Sequence, residues 1–88
     1  MNPRGTMRLR VMVPTHELVD RPIVKLIARG RDGAFCLLPR HVDFVSALAP
    51  GIMAATGIAG TQTFIATDEG LLVKSGADVL VSVTHAIE

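Results

Sequence analysis

The sequence predicts an all-β domain, a sandwich or a small barrel of short strands. Three observations carry this. Apolar residues alternate with polar ones in short runs. Turn-forming residues interrupt those runs at regular intervals. No stretch holds the three-and-four apolar spacing of an amphipathic helix over ten or more positions, and only Val42 to Ala49 could be stretched toward it.

Taken in order, Met7, Leu9, Val11 and Val13 alternate with Arg8, Arg10 and Met12, the period of two that marks a half-buried strand. Pro14-Thr15-His16-Glu17 is expected to turn the chain, and Asp20-Arg21-Pro22 to break it again. Ile23 to Arg29 is rich in β-branched residues and reads as a strand. Gly30-Arg31-Asp32-Gly33 then forms a hairpin loop to a partner strand from Ala34 to Leu38, which Pro39 ends. Phe44 to Leu48 is the next strand and Pro50-Gly51 the next turn. The Ala- and Gly-dominated segment from Gly51 to Gly60 is apolar but weakly β-forming. Gln62 to Thr67 is a strand, Asp68-Glu69-Gly70 a tight turn, and Leu71 to Lys74 pairs back. After a turn at Ser75-Gly76-Ala77, the run from Val79 to His85 sets Val79, Val81 and Val83 on one face, with Leu80, Ser82 and Thr84 on the other. Eight or nine strands result, with no internal repeat or linker.

The 88 residues suffice for one domain of modest stability. Its expected limits are 7–88, after a flexible N-terminus at 1–6. The net charge of +1 and the absence of Trp and Tyr argue against nucleic-acid binding, which usually combines a basic excess with stacking aromatics. Phe35, Phe44 and Phe64 are the only aromatic residues. Arg4, Arg8, Arg10, Arg29, Arg31 and Arg40 weight the first half with arginine, most of it expected to face solvent. The apolar run between Phe44 and Ile65 is broken by Pro50 and several glycines, so it reads as strands and turns rather than a membrane helix. The first six residues lack the apolar stretch of a signal peptide, and a cytosolic chain is expected. A single cysteine, Cys36, permits no internal disulfide and fits a reducing compartment; its ordinary reading is a small buried apolar residue.

Catalytic chemistry finds little support. Cys36 and His41 straddle Pro39, so the sequence leaves their separation open. His16, His41 and His85 are widely spread and show no metal-ligand spacing, so each is expected at a surface or interface. Asp68-Glu69 lies on a turn, where an aspartate commonly caps its own backbone, and Asp32 in a hairpin has the same reading. The scattered glycines form no phosphate-cradling loop. No catalytic residue, metal or cofactor is expected. Composition and periodicity alone lead to a small all-β interaction domain that works by offering surfaces.

One stretch leads further. Residues 30 to 51 read Gly-Arg-Asp-Gly-Ala-Phe-Cys-Leu-Leu-Pro-Arg-His-Val-Asp-Phe-Val-Ser-Ala-Leu-Ala-Pro-Gly. This resembles the signature of the ATP synthase epsilon subunit (delta in mitochondria). There a Gly-x-x-Gly hairpin leads through an apolar strand to Pro-Gly-His-x-Pro, then to a Leu-Leu-Thr-x-Leu-x-Pro-Gly run. Gly30, Gly33, Pro39, His41, Leu48, Pro50 and Gly51 match without a gap. Met7 to Val13 resembles the family's first strand. The segments Phe64-Ile65-Ala66, Gly70-Leu71-Leu72-Val73 and Val79-Leu80-Val81 resemble its Phe-x-x-x-x-Gly-Gly-x-Leu-x-Val and Val-x-Val-Leu close. Arg40 and Asp43 depart from the motif glycine and proline, Glu69 from the first paired glycine, and Ala34 from a frequent Glu, which marks a divergent branch.

The resemblance implies a two-layer, ten-stranded sandwich that belongs to the rotor of an F-type ATP synthase without being catalytic. It would dock on the gamma subunit of the central stalk and on the membrane rotor ring, peripheral at the cytoplasmic face of a bacterial inner membrane. By motif position, Arg31, Asp32 and Ala34 are expected to face the ring, and His41, Phe44 and Ser46 to face gamma. Arg31 and Asp32 could equally be a solvated hairpin, Phe44 simple core, and His41 a partner for neighbouring backbone. Family members usually continue into a two-helix hairpin that regulates hydrolysis and in some bacteria binds ATP. Nothing in these residues can form it, so neither ATP binding nor helix-mediated inhibition is expected of this chain. Two other classes compete: a stand-alone sandwich adaptor without a rotor role, and a small hydrolase using Cys36 and His41.

Overall fold

The computed structural model describes residues 5–88. Of the segment 1–6 expected to be flexible, residues 1–4 lie outside the described residues. Gly5 sits in a turn at φ 82° and Thr6 is buried. The described residues form strands and connections without a helix: β1 (Met7–Val13), β2 (His16–Ile23), β3 (Lys25–Gly30), β4 (Gly33–Leu37), β5 (Phe44–Leu48), β6 (Gly51–Thr56), β7 (Gln62–Thr67), β8 (Gly70–Ser75), β9 (Asp78–Val83) and β10 (Ala86–Ile87).

Hydrogen bonding joins them in the order β10-β7-β6-β3-β5-β8-β9-β1-β2, with β4 on the free side of β3. All pairs are antiparallel except β1 with β9. The path folds over on itself, because the inward residues of both halves enter one core. Met7, Leu9, Val11, Val19, Leu72, Val79 and Val81 come from one half, and Leu26, Ala28, Leu37, Met53, Ala55 and Ile65 from the other. Each set follows the two-residue period of a pleated strand, as the alternation Val79, Val81, Val83 required.

The layers join where β3 meets β5 through a single residue pair, Gly30 with Leu48. β5 pairs with the end of β3 and β6 with its start, so β5 and β6 act as one ribbon bent at Ala49-Pro50. Arg31 N donates to Ala47 O at 3.2 Å and Ala49 N to Arg29 O at 3.0 Å, which holds the bend. Leu48 also faces Gly70, and Gly70 faces Val83, so one register row crosses β3, β5, β8 and β9. Both glycines in that row are compelled by space. A Cβ on Gly70 would lie 2.2 Å from Ser82 O and 2.6 Å from Val83 Cγ1; one on Gly30 would lie 2.9 Å from Ser46 Oγ. On the opposite side, Val24 N donates to Thr56 O at 2.8 Å, and Arg21 reaches Thr63 Oγ1 at 3.2 Å and the Glu88 carboxylate.

Several expectations need correction. A turn was expected at Pro14-Thr15-His16-Glu17 and a break at Asp20-Arg21-Pro22, but only Pro14-Thr15 turns; His16 to Ile23 is a full strand. β2 ends the hydrogen-bonded path, and an edge strand tolerates Pro22 because the missing N–H costs no interior ladder bond. Its polar run is also explained, since Asp20 and Glu17 pair with the outward arginines of β1. Arg8 donates to both Asp20 oxygens at 2.8 and 2.6 Å, and Arg10 Nε to Glu17 Oε1 at 3.0 Å. A bulge between Val11 and Met12 leaves Leu18 without a partner and shifts the register there. The strand expected from Ile23 is divided at Val24 between β2 and β3. The weakly β-forming segment is a strand only as far as Thr56.

Lys74 is the unforeseen core residue. The inward phase of β8 buries it to 1% exposure beside Leu72. Its Nζ donates to His41 O at 2.7 Å and Gly76 O at 2.8 Å, the acceptors a buried amine needs.

Gly70→Ala is expected to destabilise the fold by about 3 kcal/mol or more, because its nearest obstacle is backbone. Gly30→Ala should cost about 1 kcal/mol, because Ser46 can rotate away. Urea unfolding of the two variants measures the difference, and equal midpoints would contradict this account.

Candidate docking surfaces

The strand lengths sort the connecting loops onto two ends of the sandwich. At one end the β3–β4 hairpin presents Arg31 and Asp32, both exposed. Gly33 closes the hairpin at φ 124°, a value that favours glycine. Arg31 Nη2 donates to Glu69 Oε2 at 3.4 Å, joining this hairpin to the β7–β8 turn; both side chains are about two-thirds exposed, at 66% and 68%. The same end holds Asp68. It does not cap its own turn as expected. Its Oδ1 accepts from Thr84 N and His85 N at 3.1 Å each, and its Oδ2 lies 3.1 Å from His85 Nδ1. Asp68 thus fastens the turn that leads into β10. These bonds, the one from His85 N first, hold its carboxyl below the usual carboxylate range against the opposing effect of desolvation. The Asp20 carboxyl is lowered likewise, first by its hydrogen bond from Arg8.

His41 belongs to the other end. The β4–β5 loop carries it, a strand of five residues away from the hairpin, or about 17 Å. His41 N donates to Leu38 O at 3.0 Å and its carbonyl accepts from Lys74, while its ring is exposed. Val42 beside it is 82% exposed. Asp43 Oδ1 accepts from Gly76 N at 2.8 Å, a second tie between this loop and the β8–β9 turn.

Between the ends runs a groove. β4 and β5 share no ladder, and Phe35 and Phe44 fill the wedge between them edge to face, with ring centroids 5.0 Å apart. On one side of this pair a cavity of about 470 Å³ is lined by Arg31, Asp32, Phe44, Val45 and Ser46. On the other, a cavity of about 380 Å³ is lined by Cys36, Leu37, Arg40, His41, Val42 and Phe44. Arg31, Asp32 and Ser46 thus lie on one side of the aromatic pair and His41 on the other, with Phe44 lining both cavities. Ala34 stands apart, exposed on β4 opposite Arg29. Phe44 is half-buried and packs on the core, and the Ser46 hydroxyl donates to Ala47 O while packing against Gly30.

Cys36 is not buried, as its ordinary reading required. β4 turns it outward, opposite Ile27. It lines the same cavity as His41, yet no hydrogen bond joins its thiol to the imidazole among the described residues, so the contact a nucleophile and base require is missing. No group of three or more His, Cys, Asp or Glu side chains is placed to hold a metal among the described residues.

The residues of one apolar sheet face escaped the sequence reading. The outward residues of β4, β3, β6, β7 and β10 fall in register as Cys36, Ile27, Ala54 and Phe64 in one row and Ile52, Ala66 and Ile87 in the next. Ile52 is 65%, Phe64 57% and Ile87 74% exposed. The signal was the nearly unbroken apolar character of Ile52-Met53-Ala54-Ala55 and Phe64-Ile65-Ala66, which leaves no polar face to alternate. Exposed apolar residues gathered on one sheet face mark an interaction surface.

The model of the family described as ATP synthase, Delta/Epsilon chain, beta-sandwich domain matches residues 6–88. ATP synthase epsilon chain 2 of Paraburkholderia xenovorans (strain LB400) is 35% identical over 79 residues, covering 88% of this chain and 57% of that protein. The ATP synthase epsilon chain of Campylobacter hominis is 30% identical over 70 residues, covering 80% and 54%. The chain thus spans a little over half the length of these relatives. A chain in the cryo-EM structure of the Euglena gracilis mitochondrial ATP synthase (OSCP/F1/c-ring, rotational state 1) superposes with a TM-score of 0.90 at 19% identity, over 99% of this chain and 56% of that one. A chain of the Tetrahymena thermophila mitochondrial ATP synthase central stalk and c-ring gives 0.75 at 10% identity, over 100% and 69%. At these identities the superpositions speak for the fold.

The Asp68 carboxyl sets a pH window. Its folded pKa lies below the unfolded value of about 3.9, so its contribution is full above that pH and is lost as the pH falls through the folded pKa. Asp68→Asn, which does not titrate, should therefore show a shallower loss of stability below about pH 4 than the unsubstituted chain. Acid titration followed by circular dichroism checks this, and parallel acid limbs would refute it.

Proposed function

Because this chain belongs to the ATP synthase delta/epsilon-chain β-sandwich family, we propose that it is a non-catalytic rotor part of an F-type ATP synthase, joining the gamma subunit of the central stalk to the membrane ring. In this reading it couples ion-driven rotation to ATP synthesis or hydrolysis. It sits peripherally at the cytoplasmic face of a bacterial inner membrane and binds neither ATP nor nucleic acid.

The observation that carries the reading is the division of the surface into an apolar sheet face and a polar end. A part that turns with its neighbours needs one broad contact that does not slip. Ile27, Ile52, Phe64 and Ile87 offer such a contact, and Cys36 continues it round the edge of β4 to the cavity lined by His41 and Phe44. This side would meet gamma, with Ser46 in the adjoining groove. Apolar area buried there contributes about 25 cal/mol per Å², less the cost of association. The ring contact would fall to the hairpin end, where Arg31 and Asp32, flanked by Ala34 and linked to Glu69, present charge of both signs to polar loops.

Introducing charge on the broad face and removing it from the hairpin separates the two contacts. Ile52→Asp with Phe64→Asp should weaken binding to gamma by about a hundredfold or more, as expected when large side chains at an interface centre are lost. Arg31→Ala with Asp32→Ala should weaken ring association and leave gamma binding intact. Calorimetry with gamma and co-purification with the ring read the two effects. If the unsubstituted chain binds neither, it is a stand-alone adaptor and the rotor reading is wrong.

A further inference from the structure

The loop that carries His41 has an anchorage of its own. We propose that Lys74 and Asp43 are positioning residues that latch the 39–43 loop to the β8–β9 turn and so fix the pose in which His41 and Val42 meet the stalk. The consequence for binding rests on the rotor reading above; the latch does not.

Two bonds cross the same gap from opposite sides. Lys74, buried at 1% exposure, bridges His41 O and Gly76 O at 2.7 and 2.8 Å. Asp43 Oδ1 accepts from Gly76 N at 2.8 Å. Gly76 is thus held through both its N–H and its carbonyl, and the loop is held at both His41 and Asp43. Within the loop itself His41 N donates to Leu38 O, and the side-chain ties add the contacts that hold it to the rest of the fold. A loop bearing a valine that is 82% exposed gains little from the core, and its pose is set by these polar ties.

The test uses amide hydrogen exchange and gamma affinity on the same variants. Lys74→Met keeps the apolar stem and removes the donor; Asp43→Ala removes the acceptor; Asp43→Asn keeps an acceptor oxygen. In the first two, exchange at His41 and Gly76 should quicken about tenfold, the factor one lost hydrogen bond carries, while Leu9 and Ile65 amides stay unchanged. Asp43→Asn should match the unsubstituted chain. Gamma affinity should fall with Asp43→Ala and recover with Asp43→Asn. Should Lys74→Met not fold, the Asp43 pair carries the test. Unchanged exchange in Asp43→Ala overturns the latch. Quickened exchange with unaltered gamma affinity overturns the positioning role. An unsubstituted chain that fails to bind gamma overturns the rotor reading instead, with the exchange result standing.

Discussion

Everything in this fold depends on the close approach of backbones along the row Gly30–Leu48–Gly70–Val83. A single residue pair joins β3 to β5, so the sheet changes layer with almost no ladder to guide it. What guides it is the absence of side chains. At Gly70 the Ser82 carbonyl occupies the space a Cβ would need, and at Gly30 Ser46 and Phe35 close in. Leu48, buried between the two glycines, supplies the apolar contact that the glycines cannot. The bend at Ala49-Pro50 then carries the ribbon into the other layer. The hairpin, the groove and the apolar face take their positions from that corner.

The surface inherits its division from the same geometry. β1 and β2 carry Arg8, Arg10, Glu17 and Asp20, which satisfy one another across the strands and leave that flank hydrated. β3, β6, β7 and β10 turn Ile27, Ile52, Phe64 and Ile87 outward with no such partners. Exposed ion pairs contribute little to stability, whereas uncovered apolar area is a standing source of attraction. The two flanks therefore differ in what they offer a neighbour.

Much of the architecture was legible because period-two alternation leaves a direct mark. β1 and β9 read cleanly, since Leu9 and Val11, and Val79, Val81 and Val83, face one core. The hairpin at Gly30-Arg31-Asp32-Gly33 was legible through its turn residues. β2 was not, because Asp20, Arg21 and Pro22 look like a break until the strand is known to lie at an edge and to pair its charges with β1. Residues 86–87 were too short to register. Lys74 shows the limit of residue type as a guide to burial: the strand's phase puts it inside, and two carbonyls from distant turns make the position tolerable. Cys36 erred the other way, since its outward phase on β4 outweighed the usual burial of a thiol. The outer apolar face was written in the runs around Ile52 and Phe64, but only register across strands assembles it into a surface.

The parallel pairing of β1 with β9 has a consequence for biosynthesis. Leu9 lies against Val79, so β1 gains its inner neighbour only after the chain as far as Val79 has been made. Until then β1 can close a hairpin with β2, but one of its edges stays open and its core face lacks the cover of β8 and β9. Such distant pairings slow folding and prolong the exposure of unpaired edges. The bidentate pairing of Arg8 with Asp20 lies within that hairpin, an exposed ion pair that adds little to the finished sandwich.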